Sequence, residues 1–242
     1  MIKFIRGFLV VMLFVIFGLG SLIISFVLIP FGGILTRGRS KREYFSDFIH
    51  KLWAWYTNLF VILGLIKVET KNIEQMRGKI IVSTHPTFID IMILIGLYEN
   101  SLCLAKKEIL NNIFMKNIIK NVYIPNNVDL DEFKQICLEV LNDGYNIIIF
   151  PTGTRTVKGE DLKIHKGAAA LQIYTGADII PVKIDCDYPF LQKGQPIYDA
   201  SDRVITYTIS QSEPIKLSQF SEQSEIKLRK EISEKIKHGF VS

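Results

Sequence analysis

Two short stretches combine side chains that packing alone would not select. The first, "HPTFID", follows the apolar run "KIIVST" and sets His85 five residues ahead of Asp90. The first turn of a following helix would bring the Asp90 carboxylate back beside the His85 ring. There it would accept a hydrogen bond from one ring N–H, fix the tautomer and steady the imidazolium. The other ring nitrogen would then be a general base for an alcohol. A structural explanation uses the same residues: Thr87-x-x-Asp90 fits a capping box, with His85 a plain loop residue. The two explanations are compatible. The second stretch, "FPTGTRT" (150–156), leaves the run "NIIIF". Pro151 breaks the strand and Gly153 lets backbone approach a ligand. Thr152, Thr154 and Thr156 offer hydroxyls, and Arg155 offers a planar fork suited to phosphate. An ordinary β–α turn with a surface Arg would look the same in isolation. The sequence has no G-x-S-x-G elbow. A base without a protein nucleophile points to direct attack by a substrate hydroxyl, and the second loop supplies an anion cradle.

Both stretches need strands that end beside one another. From Lys67 onward, apolar strand-like runs alternate with helical patterns. "KIIVST", "SLCLA", "VYIP", "NIIIF", "DIIPVKI" and "VITYTIS" read as strands. "FIDIMILIGLY" reads as a helix, and "KGAAALQIYTG" as another that stops at Gly176. "DLDEFKQICLEVLNDG" has Asp129 as N-cap, an apolar stripe through Leu130, Phe133, Ile136, Cys137, Val140 and Leu141, and Gly144 at its end. "SEIKLRKEISEKIK" is a charged closing helix whose charges form a solvated face. The alternation predicts an α/β fold with a mostly parallel central sheet flanked by helices.

The N-terminal third has a different character. Residues 7 to 36 carry no charge, and apolar residues make up 48% of the chain. About 20 apolar residues span a bilayer core, so this run can cross once but not twice. Gly18, Gly20 and Pro30 also permit a re-entrant or interfacial helix pair. A secretory signal would use Lys3, Arg6 and the small site Gly18-Leu19-Gly20, but the apolar run continues well past that site. Arg37, Arg39, Lys41 and Arg42 outweigh Lys3 and Arg6. This bias predicts an inner (cytoplasmic) membrane protein whose main body faces the cytoplasm. The next apolar stretch, "FIHKLWAWYTNLFVILGLI", is either a second membrane-lying helix or a core helix. Residues 1–66 therefore read as membrane-anchoring segments with a basic linker, and 67–242 as the folded domain. The net charge of +5 suits anionic lipid better than nucleic acid, for which no motif is present. Cys103, Cys137 and Cys186 lack metal or redox spacing and read as core thiols in a reducing compartment.

The two loops taken together are more specific than either. A strand ending in H-x-x-x-x-D, followed some sixty residues later by one ending in F-P-x-G-T-R, resembles the glycerolipid (1-acylglycerol-3-phosphate) acyltransferase family over residues 65 to 210. The resemblance implies a membrane-associated O-acyltransferase domain at 67–242. His85 would deprotonate an acceptor hydroxyl, and Asp90 would orient His85. The hydroxyl would attack the thioester of acyl-CoA or acyl-carrier protein, with no cofactor and no metal. Thr152, Gly153, Thr154 and Arg155 would contact the anionic group of a lysophospholipid-like acceptor. "LAKKEIL" is similar to the family's second block, which gives Lys106 or Lys107 a phosphate or carrier contact; solvated lysines are the alternative. "IIPV" (179–182) is similar to the fourth block, lining the cleft, or is simply a core strand. Two departures bear on the acceptor. Thr152 stands where the family has Glu, and Pro125, Asn126 and Asn127 stand where it has an Arg. "HPTFID", "YIPNN", "HKGAAALQI" and "YPFLQKGQPIYD" resemble a subgroup from bacterial aryl-polyene and related lipid gene clusters. A thioesterase or lysophospholipase using water, and a non-catalytic lipid-binding assembly protein, are the competing functions.

Overall fold

In the computed structural model, residues 1–29, 31, 40–105, 123–125, 129–156, 162–221 and 223–240 are described. Helix α1 spans Ile2–Ile23 and runs on through a π-helical turn, Ile24–Leu28. By length and composition, this run can cross a membrane. Helix α2 spans Lys41–Ile62, so it begins well before the aromatic stretch that predicted it. The cause is a start signal, Ser40-x-x-Glu43: the Ser40 hydroxyl accepts from the Glu43 N–H at 3.1 Å. Strand β1 (Ile66–Lys71) follows, then β2 (Ile80–Ser83), α3 (Asp90–Leu97), β3 (Ser101–Ala105) and β4 (Tyr123–Pro125). Next come α4 (Leu130–Asn142), β5 (Asn146–Ile149), α5 (Gly167–Thr175), β6 (Ile179–Cys186), β7 (Ile205–Gln211) and α6 (Glu225–Gly239).

The strands form one seven-stranded sheet in the order β1-β7-β6-β2-β5-β3-β4. Only the β6/β7 pair is antiparallel; the other pairs are parallel, as the alternating pattern predicts. β2 is the central strand, with β5 on one side (Ile80↔Ile147, Val82↔Ile149) and β6 on the other (Ile81↔Ile180). Covered on both faces, β2 and β5 are continuous runs of Ile and Val rather than alternating ones. Ile80, Ile81, Val82, Ile147 and Ile148 have no exposed surface. α6 buries only Ile232, Ser233 and Ile236 and leaves its charges in solvent.

The N-terminal helices belong to the same core as the sheet. α1 turns Gly7, Val10, Ser21 and Ile24 inward, with Phe14 and Phe17 partly buried between them. Those positions fall at alternating steps of three and four, the spacing of one continuous inward seam. Around Phe17 that seam meets α2, which buries Phe45, Ile49, Trp53, Tyr56 and Phe60. Phe17 packs on both Trp53 (5.6 Å) and Tyr56 (5.9 Å). The Tyr56 hydroxyl donates to the Leu13 carbonyl at 2.9 Å. Both expectations for α2 were local, and the core reading holds for this inner face. Trp55 and Ile62 remain exposed on the other. The outward face of α1 carries Phe4, Phe8, Val15, Leu19 and Phe26, all exposed.

Candidate active site

Because β2 and β5 are parallel neighbours, their following loops leave the same edge of the sheet. In open α/β sheets that carboxyl edge is where ligands bind. The β2 exit is pinned by Thr84. Its side chain donates to the Ile184 carbonyl (3.0 Å) and accepts from the Ile184 N–H (2.7 Å), extending the ladder to β6. His85 comes next. Its Nδ1 lies 2.9 Å from Asp90 Oδ2. The Asp90 carboxyl is fully buried, while the His85 side chain keeps 19% of its surface in contact with solvent. Toward an ionised carboxylate Nδ1 must be the donor, which leaves Nε2 as the basic nitrogen of the neutral ring.

Asp90 has further donors. The Thr87 N–H donates to Oδ2 at 2.7 Å, and the Thr87 hydroxyl makes a short hydrogen bond to Oδ1. The Tyr207 hydroxyl, buried on β7, donates in turn to Thr87 Oγ1 at 3.1 Å. Burial pushes the Asp90 carboxyl above its ordinary range, and the bonds from His85 and Thr87 oppose that shift. The capping-box expectation needs correction here. The N-cap of α3 is Ile89, with no side-chain cap. Thr87 donates to Asp90 rather than capping the helix. Thr87 and Tyr207 thus complete a buried chain, Tyr207–Thr87–Asp90–His85, of which sequence reasoning found only the last two as chemistry. The one signal for Tyr207 was its inward position between Ile205 and Ile209 on β7.

The "FPTGTRT" loop wraps the same histidine. The Phe150 ring stacks on the His85 ring with centroids 4.2 Å apart and planes 23° from parallel. The Thr156 N–H donates to the His85 carbonyl at 2.9 Å. Gly153 has φ +67°, a left-handed conformation that disfavours any side chain. The Thr152 hydroxyl closes the loop on itself, donating to the Thr154 carbonyl at 2.8 Å. Arg155 Nη1 donates to the carbonyls of Leu191 (2.8 Å) and Gln192 (3.2 Å). Its guanidinium also lies over the Phe88 ring, 5.8 Å from the centroid. Among the described residues, Nη2 and Nε of that fork make no hydrogen bond. The structure therefore gathers His85, Asp90, Thr152, Gly153, Thr154 and Arg155 at one sheet edge. Lys106 and Lys107 lie outside the described residues, as do Asn126 and Asn127. Ile179, Ile180 and Val182 of "IIPV" are buried in β6 beside β2. The three cysteines are buried free thiols. Burial raises Cys186 to about 11 and Cys103 and Cys137 to about 12, so they are poor nucleophiles at neutral pH.

Comparison with known proteins identifies the family of the chain. A family model described as Acyltransferase matches residues 65–185, half of the chain. A chloroplastic 1-acyl-sn-glycerol-3-phosphate acyltransferase of Brassica napus is 26% identical over 165 residues, 64% of this chain and 46% of that protein. The 1-acyl-sn-glycerol-3-phosphate acyltransferase of Pseudomonas aeruginosa is 26% identical over 62% of this chain and 61% of its own length. That of Bacillus subtilis is 29% identical over 51% and 65%. The chain thus spans about half to two-thirds of the curated relatives it matches. The crystal structure of PlsC, the 1-acyl-sn-glycerophosphate acyltransferase of Thermotoga maritima, shares the fold with a TM-score of 0.74. It is 24% identical, with 99% of this chain and 96% of that one covered. The strand-end His–Asp pair, its companion loop and the matched model have one common conclusion: this chain is a member of the acyltransferase family.

Proposed function

We propose that the protein is a membrane-associated O-acyltransferase. It moves a fatty acyl group from a thioester, acyl-CoA or acyl-carrier protein, to a hydroxyl of a lysophospholipid-like or other lipid acceptor. The observation that carries this reading is the 2.9 Å contact between His85 Nδ1 and the buried Asp90 carboxylate. His85 Nε2 takes the proton from the acceptor hydroxyl as its oxygen attacks the thioester carbonyl carbon. The C–S bond breaks, an ester remains, and the departing thiolate recovers the proton from the imidazolium. Asp90 holds the ring in register and offsets the charge it gains. The Arg155 guanidinium, with Gly153 and Thr154, takes an anionic or polar group of the acceptor, and Thr152 shapes their loop. Lys106 is assigned to the same group on the resemblance of "LAKKEIL" alone. This scheme draws on no cofactor.

Residues 1–66 supply membrane contact and 67–242 the chemistry. The apolar outward face of α1 supports that division. The basic run at Arg37–Arg42 supports placement at the cytoplasmic face of the inner membrane. The full-length protein in mixed micelles, given an acyl thioester and a set of lipid alcohols, should release free thiol and form ester in equal amounts. Thiol release with free fatty acid and no ester would replace this reading with a thioesterase.

A further inference from the structure

We infer that α1 is a positioning element for Arg155 and the catalytic loop, acting through the 188–199 loop, and not only a membrane contact. The inference rests on the acyltransferase reading above. Leu191 is the centre of the argument. It is buried, with 2% of its surface exposed, and has φ +52°. A branched residue holds that conformation only where its surroundings over-determine it. Its carbonyl accepts from two active-site groups at once, the Phe88 N–H (3.1 Å) of "HPTFID" and Arg155 Nη1 (2.8 Å) of "FPTGTRT". One peptide group therefore sets the distance between the two loops. Gln195 braces it from within. Its side-chain carbonyl accepts from the Gln192 N–H (3.1 Å), and its amide donates to Pro189 O (2.9 Å) and Asp199 Oδ2 (3.0 Å).

The far end of that loop rests on α1. A Cβ on Gly7 would lie 2.3 Å from the Tyr198 carbonyl oxygen, so helix and loop touch backbone to backbone. Lys3 pairs with Asp199 at 2.9 Å, but both are exposed and the pair contributes little. A second route is aromatic. Phe14 of α1 packs on Phe88, with centroids 5.7 Å apart, and Arg155 lies over the same Phe88 ring. Both routes converge on Arg155, whose long side chain has no fixed position without them.

The test uses full-length protein in mixed micelles with acyl-CoA. Two acceptors are compared below their micellar concentrations, a short-chain 1-acylglycerol 3-phosphate and a short-chain monoacylglycerol. Gly7→Ala should strengthen helix propensity yet unseat α1, and Phe14→Ala should remove the aromatic route. Each should raise the KM for the anionic acceptor about three- to tenfold. The kcat and the donor KM should stay within about twofold, and the neutral acceptor should be unaffected. In an Arg155→Ala background both effects should vanish, since they act through that side chain. Phe4→Ala and Phe8→Ala, on the outward face, should weaken vesicle binding and leave KM alone. Wild-type KM values in Gly7→Ala and Phe14→Ala, with the parent active, overturn the positioning role and leave the acyltransferase intact. A parent protein that esterifies neither acceptor nor any other lipid alcohol overturns the enzymatic reading and this inference with it.

Discussion

His85 and Asp90 differ in what each can lose. Replacing His85 by Ala removes the proposed proton acceptor, and turnover should fall by about two to four orders of magnitude. It also strips one donor from a buried carboxylate, at a cost of about 1–3 kcal/mol. Rate and melting must therefore be read on the same preparation. Full activity in a folded His85→Ala protein removes the mechanism. Asp90→Asn separates orientation from structure. Its oxygen can still accept from the Thr87 N–H, and its amide can donate to Thr87 Oγ1 if that hydroxyl turns. With those hydrogen bonds kept, stability near neutral pH should change by about 1.5 kcal/mol or less. The pH dependence has a definite sign. Burial raises the Asp90 carboxyl in the fold, so the folded state binds this proton more tightly than the unfolded chain does. Its contribution to stability is present at low pH and is lost as pH rises through the folded value. Asn has no such proton. Relative to wild type, the variant should gain stability from acid toward neutral pH, as urea melts at several pH values would record. Turnover should nonetheless drop by about three to four orders of magnitude, as in other His–Asp pairs that lose the carboxylate. Retained turnover would reduce Asp90 to a structural role.

The helices and strands differ in how openly the sequence announces them. Strand-end placement of His85 and of "FPTGTRT" could be read because buried parallel strands are short apolar runs with sharp ends, and Pro151 and Gly153 mark one of them. The start of α2 was equally legible in Ser40-x-x-Glu43, yet its basic residues drew it into a linker. The seam of α1 was not legible. Its outward residues are as apolar as Val10 and Leu13, so no change in polarity marks the inner face. Leu191 and Tyr207 escaped for another reason: their partners lie far along the chain, and no local pattern records a tertiary hydrogen bond. The seam has a measurable consequence. Deleting residues 1–36 removes the burial of Val10 and Leu13, about 1.5–3 kcal/mol each, and uncovers Trp53 and Tyr56, on which Phe17 packs. The truncated protein should melt at lower temperature but leave anionic vesicles only in part. The bared aromatics, with Lys41 and Arg42, should keep interfacial affinity that salt weakens. Flotation at low and high salt measures it. A truncated protein that is wholly soluble at low salt would mean that α2 makes no membrane contact of its own.

The acceptor is a property of the assembled edge, where two loops, the 188–199 loop and α1 meet. Family resemblance places a Glu where this chain has Thr152 and an Arg where it has Pro125 to Asn127. Those are the two charged groups best matched to the polar part of a 1-acylglycerol-3-phosphate acceptor, the Arg to its anion and the Glu to a hydroxyl. Charge-assisted hydrogen bonds are worth about 1.5–3 kcal/mol each. Without a substitute from Lys106 or Lys107, two lost bonds should lower selectivity for that headgroup by about two orders of magnitude or more, at 1.4 kcal/mol per factor of ten. The loop also uses the Thr152 side chain for its own closure. Thr152 closes it through the bond to the Thr154 carbonyl, so a Glu restored at that position would break a loop contact while supplying a charge. Arg155 keeps one polar contact, but its Nη1 is already committed to Leu191 and Gln192. We therefore expect the protein to rescue weakly, or not at all, a bacterial strain lacking phosphatidic-acid synthesis. Thr152→Glu alone should bring no large gain. Growth of that strain, and its phosphatidic-acid content, are the measurements. Robust growth supported by the unmodified protein would show that both departures are neutral and that the acceptor is an ordinary 1-acylglycerol 3-phosphate.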